Sequence, residues 1–203
     1  EGINNIDHID IENADKLGFK IKLLGVSELK NNKIIQRVHP CMIRKNSYIA
    51  SIDGVLNAII VKGKPVGESV IQGEGAGPEA TTSALISDIS SILRGNIKYP
   101  FSISNTERKN IKFRNIFETI TSSYIRLDVV DKHGVLSQIT NVFAKNKVSI
   151  KRLIQNPLKS RKHSSIVVVT HSAKNKNLLN VINQLKNKKY IVGKTKLIRI
   201  EEN

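Results

Sequence analysis

Downstream of residue 122 the apolar residues switch between two-residue and helical spacing, and this succession constrains the fold more tightly than any other feature. Tyr124 to Val130 reads as a strand and Asp131-Lys132-His133-Gly134 as a tight turn. Val135, Leu136, Ile139, Val142 and Phe143 then fall on one helical stripe. Two strands follow, Val148 to Gln155 and Ile166 to His171, before a second amphipathic helix carrying Leu178, Val181, Ile182 and Leu185. Tyr190 to Ile200 closes the series as a last strand. The order βαββαβ predicts the ferredoxin-like arrangement, an antiparallel sheet with both helices on one face. Aromatic residues are only 4% of the sequence against 39% hydrophobic residues, so the cores must be built from Ile, Leu and Val.

Upstream, the pattern predicts antiparallel sheet with one helix. Asp10 to Gly18 reads as a short helix with Ile11, Ala14 and Leu17 inward and Gly18 as its stop. Lys20 to Ser27 and Lys33 to Val38 read as strands joined by an Asn31-Asn32 turn, the second ending at Pro40. Tyr48 to Asp53 reads as short and extended. Leu56 to Lys62 and Val66 to Ile71 form a hairpin closed by Gly63-Lys64-Pro65. It runs straight into Gly73-Glu74-Gly75-Ala76-Gly77-Pro78 and a helix over 79–94, with Ala84, Leu85, Ile89, Ile92 and Leu93 on one stripe and Gly95 as its stop. A glycine turn feeding a helix N-terminus presents free backbone N–H groups and suits a phosphate or carboxylate. The spacing departs from the dinucleotide fingerprint, with Glu79 where that pattern wants glycine, so spacing alone favours plain turn punctuation. Residues 96–122 are weakly periodic and read as a connection, with a short helix near Ile116.

Other chemistries are excluded by composition and motif. The single cysteine, Cys41, rules out an internal disulfide and a cysteine-based zinc site and fits a reducing, cytoplasmic setting. No apolar run approaches the roughly 20 residues a membrane helix needs. No P-loop, H-E-x-x-H or G-x-S-x-G stands in the chain. His163 and His171 lie on or beside a strand without a cysteine partner, so no metal site is expected. Asp128 and Asp131 lie three apart at a strand end, as turn residues do. Residues 1–95 carry 11 Lys and Arg against 11 Asp and Glu, whereas 96–203 carry 22 against 6 and thus the whole net charge of +16. No stacking aromatics interleave with those lysines, so they read as solvated surface and no nucleic-acid partner is expected.

Two segments resemble a known family. Over residues 17–88, LGFKIKLLGVSE, RVHP, NAIIVKG, VGE and GEGAG followed by TTSALISD resemble the C-terminal part of the catalytic region of homoserine dehydrogenase. Over residues 123–171, YIRLDVVDKHGVLSQI, VSIKRLIQ and SSIVVVTH resemble an ACT domain of the kind that ends many bacterial versions of that enzyme.

The resemblance implies an α+β chain, with a partial substrate and dimerisation domain over 1–95, a linker over 96–122 and an ACT regulatory domain over 123–203. It implies NAD- or NADP-dependent interconversion of L-homoserine and aspartate semialdehyde in threonine, methionine and isoleucine synthesis. It places Gly75, Gly77 and Thr81 at the cofactor, and Asp131, His133, Gly134 and Val135 at an amino-acid effector, threonine being expected. Pairing into a homodimer or homotetramer is implied as well. Ala80 stands where the family often has proline, and His133 where the ACT turn often has it.

The catalytic lysine and the nucleotide fingerprint of the family lie upstream of its EGI, with which this chain begins. The chain is thus expected to be a fragment, without catalytic residues of its own and inactive alone. Lys22, in mid-strand, and His39, before Pro40, are the local residues that could stand in, and both read more simply as structural. The alternatives are a non-catalytic amino-acid-binding module and a basic binding protein using residues 96–203.

Overall fold

A computed structural model describes residues 1–96, 102–157 and 162–201. By compactness the chain divides into Glu1–Lys45 with Ile111–Asn203, and Asn46–Asn110. The boundaries expected from the sequence run along the chain. In space, residues 1–45 pack with the C-terminal half instead.

The first unit opens with α1 (His8–Lys16), which starts two residues earlier than its periodicity predicts because Asp7 caps it. The Asp10 carboxylate accepts the Asp7 amide at 3.1 Å, giving two otherwise orphaned groups a partner. β1 (Phe19–Lys30) and β2 (Lys33–Arg44) form a long hairpin about Asn31 and Asn32, both at positive φ as its turn requires. β2 does not end at Pro40. Pro40 faces Leu23 in register, and the ladder on the strand's other side begins one residue later, at Cys41, so the missing N–H is tolerated.

β6 (Ile120–Val130), α3 (Val135–Lys145), β7 (Ile150–Pro157), β8 (His163–Thr170), α4 (Asn175–Lys186) and β10 (Lys196–Glu201) give the βαββαβ order that the sequence predicts. The last strand is shorter than expected, since residues 187–195 are irregular apart from a bridge between Ile191 and Val129. The sheet runs β1-β2-β10-β6-β8-β7, with β5 (Lys112–Phe113) added beside β2 and β9 (Ala173–Lys174) beside β6. The join is the parallel pairing of β10 with β2, Arg199 opposite Cys41 and Glu201 opposite Ile43.

Both faces of this sheet are covered. Ile125, Leu127 and Val129 of β6 pack with Ile139 and Phe143 of α3 and Leu178, Val181 and Leu185 of α4. On the other face Tyr124, Val167, Val169, Ile198 and Ile200 pack with Met42 and with Ala14 of α1. At roughly 1.5–3 kcal/mol for each fully buried aliphatic side chain, these two layers supply most of the drive to fold.

The second unit holds β3 (Leu56–Gly63) and β4 (Gly67–Glu74), an antiparallel hairpin, followed by α2 (Pro78–Leu93). Tyr48–Ser51 is a turn of 3-10 helix and not the extended segment expected. The predicted stripe of α2 is present, but Leu85, Ile89, Ile92 and Leu93 are exposed.

Candidate functional site

Two sets of residues singled out by the sequence sit in different units. Gly75, Gly77 and Thr81 occupy the passage from β4 into α2. A Cβ at Gly75 would meet the end of the exposed Asn57 side chain on the paired strand, which would have to turn aside. Gly77 differs. It caps α2 at φ 139° and ψ 153°, a region essentially restricted to glycine, and nothing lies within 4 Å of where its Cβ would stand. Pro78 occupies the first helical position and presets its φ. The Thr81 hydroxyl donates to the Gly77 carbonyl at 2.8 Å, so it braces this turn.

Asp131, His133, Gly134 and Val135 come together around a cavity of about 640 Å³ at the end of β6, which Val129, Leu136, Gln155 and Ile166 help to line. Gly134 takes φ 80° as the N-cap of α3 and turns the chain sharply into the helix. The Asp131 carboxylate accepts from Ser164 Oγ at 2.6 Å and faces Gln155 Nε2 at 3.5 Å. A carboxylate has about four acceptor sites, so it keeps capacity for a further cation. The first amides of α3 have no intrahelical acceptor and carry the positive end of its dipole. An acidic side chain and a helix N-terminus on one cavity suit the two charges of a free α-amino acid. His133 is exposed in this turn.

Lys22 and His39, the local candidates for a catalytic group, both stand within β-strands. Lys22 is half-buried in mid-strand opposite Cys41. His39 is only 1% exposed, with Nε2 at 3.1 Å from Arg37 Nε and 3.3 Å from Glu201 Oε1, and it lies inside a strand, not at its end. Among the described residues no group of three or more His, Cys, Asp or Glu could hold a metal ion, and no helix is long and apolar enough to cross a membrane.

Sequence reasoning missed a buried ionic cluster. Asp10, fully buried, accepts from Arg126 Nε at 2.7 Å and from the Tyr124 hydroxyl at 2.9 Å. Arg126 Nη2 reaches Asp7 at 2.6 Å and Nη1 reaches Asp128 at 2.9 Å. Burial alone would lower the Arg126 pKa, but the hydrogen bond and charge of Asp10 outweigh it and hold the guanidinium firmly protonated. The available signal was the spacing of Tyr124, Arg126 and Asp128 on one side of a strand, which by itself reads as a solvent face.

Comparison with known proteins divides the chain along its sequence. Residues 1–90 match the family model described as homoserine dehydrogenase, and residues 123–189 match that of the ACT domain. The chain is 36% identical over 201 residues to a homoserine dehydrogenase of Helicobacter pylori, covering 99% of this chain and 47% of that protein. It is also 36% identical over 188 residues to one from Neisseria gonorrhoeae, covering 90% of this chain and 43% of that protein. The crystal structure of a homoserine dehydrogenase from Thiobacillus denitrificans superposes with a TM-score of 0.87 at 32% identity, over 100% of this chain and 47% of that one. The chain thus spans about half the length of the curated relatives it matches.

Proposed function

We propose, for a chain whose residues 1–90 belong to the homoserine dehydrogenase family and whose residues 123–189 form an ACT domain, that it serves an NAD(P)-dependent homoserine dehydrogenase under amino-acid control. The reaction would interconvert L-homoserine and L-aspartate 4-semialdehyde in the cytoplasm, in a homodimer or homotetramer. Unbroken similarity to such enzymes across 99% of the chain carries this reading.

The passage into α2 fits a nicotinamide cofactor at one position above all. Space is open beside Gly77, and its extended positive-φ backbone allows the close approach that a side chain would block. The cofactor, when bound, supplies the hydride acceptor or donor. Gly75 and Thr81 act on that approach indirectly, by shaping the turn. Threonine is the proposed effector, with its ammonium at Asp131 and its carboxylate toward the first turn of α3 at Gly134 and Val135.

The test uses a longer polypeptide that carries this segment, with NADPH consumption on aspartate semialdehyde as readout. Gly77→Val should raise the cofactor KM sharply or abolish turnover while circular dichroism and subunit assembly stay unchanged. Thr81→Val should do less, since one hydroxyl hydrogen bond is worth about 1 kcal/mol net. Unchanged kinetics in Gly77→Val would reduce the glycines to turn punctuation. Loss of folding would assign Gly77 to the backbone geometry of the turn and leave the cofactor role unsupported.

A further inference from the structure

The ionic cluster of Arg126 ties together two parts of the chain that the proposed function keeps separate. β6 presents its side chains alternately to the two faces of the sheet. Tyr124, Arg126 and Asp128 lie on the face covered by α1, and three residues further on, just past the end of the strand, the chain reaches Asp131 and the cavity. Asp7, Asp10 and Asn13, at the start of α1, belong to the segment matching homoserine dehydrogenase. Asp10 is held by Arg126 at 2.7 and 3.2 Å and by Tyr124, whose hydroxyl in turn accepts from Asn13 at 3.1 Å. Lys196 of β10 closes the rim, reaching Asp7 at 3.1 Å and the Asn5 carbonyl at 2.8 Å. Asp128, the remaining partner of Arg126, keeps one carboxylate oxygen buried and without a partner among the described residues.

We infer that this cluster is the clasp through which occupancy of the cavity reaches the dehydrogenase segment. Lifting α1 off the sheet requires Arg126 to leave Asp10, and Arg126 is fixed to the strand that shapes the effector turn. A ligand that binds only the intact turn therefore opposes that opening. Coupling of this kind is reciprocal: by whatever factor the ligand favours the closed clasp, the closed clasp favours the ligand. The inference rests on the proposed effector site.

The test uses the whole 203-residue chain and L-threonine as probe. Amide hydrogen exchange should slow across α1 when threonine is added, although no residue of α1 lines the cavity. Asp10→Asn should remove that slowing and weaken threonine binding, read by calorimetry, by about fivefold or more. Asp7→Asn, at the half-exposed rim, gives the same test in smaller measure if Asp10→Asn does not fold. Threonine binding with no change in α1 exchange, or with affinity unaltered in both variants, overturns the clasp and leaves the effector site standing. No threonine binding at all overturns the effector reading, and the clasp with it.

Discussion

Arg126→Met is the substitution expected to destabilise this protein most for its size. The guanidinium is 5% exposed and its main partner, Asp10, is fully buried, so the methionine leaves a carboxylate in the interior facing one hydroxyl and one amide. Removing one member of a buried pair typically costs 3–5 kcal/mol, because the other charge stays buried and uncompensated. That is roughly a fifth or more of the roughly 5–15 kcal/mol that holds an ordinary domain folded, and a fall in Tm of roughly 6–20 °C for a chain of this length. Tyr124→Phe removes the hydrogen bond to the same carboxylate together with the acceptor of the Asn13 amide, and should cost about 1.5–3 kcal/mol. Urea unfolding followed by circular dichroism supplies the numbers, and a double-mutant cycle with Asp10→Asn supplies the coupling. The double variant should lose clearly less than the sum of the two single ones. A loss below about 1 kcal/mol in Arg126→Met, or strict additivity, would refute the claim that this cluster seats α1.

Acid should destabilise the fold through Glu201. Burial pushes its carboxyl up, but hydrogen bonds from His39 and Arg37 outweigh this and hold it below the ordinary 4.5, so its contribution is present above that value and is lost as pH falls further. The urea midpoint should drop below about pH 4.5, and Glu201→Gln should remove part of that drop. Burial also pushes the Cys41 thiol up to about 12, so iodoacetamide at pH 8 should label it only after unfolding. Gly77→Ala should cost about 1–3 kcal/mol through backbone strain alone, read by thermal unfolding against Gly73→Ala, whose glycine has ordinary φ and open space.

The ACT half was legible because each of its elements is amphipathic and buries the face its period marks, as Ile139, Phe143, Leu178 and Leu185 do. The turn at Asp131–Gly134 was legible too, since Gly134 must take a positive φ. What escaped is long-range. The pairing of β10 with β2 joins Arg199 to Cys41, a match of two strands that no local pattern announces. Asp10 and Arg126 are polar residues 116 positions apart, each of which alone reads as surface. The strand through Pro40 was cut short because proline is a good local stop, and only the late start of the neighbouring ladder makes it harmless. In the glycine segment the sequence grouped Gly75 with Gly77, whereas only Gly77 takes a positive φ.

The most direct test of the account is a threonine titration of the uniformly ¹⁵N-labelled chain followed by amide chemical shifts. The account predicts saturable shifts centred on Asp131, His133, Gly134, Val135 and Ser164, with smaller changes spreading along β6 to Tyr124 and into α1. Asp131→Asn should weaken all of them together, because the proposed contact of the ammonium is the carboxylate that accepts from Ser164. Shifts centred elsewhere, or none at millimolar threonine, would contradict it.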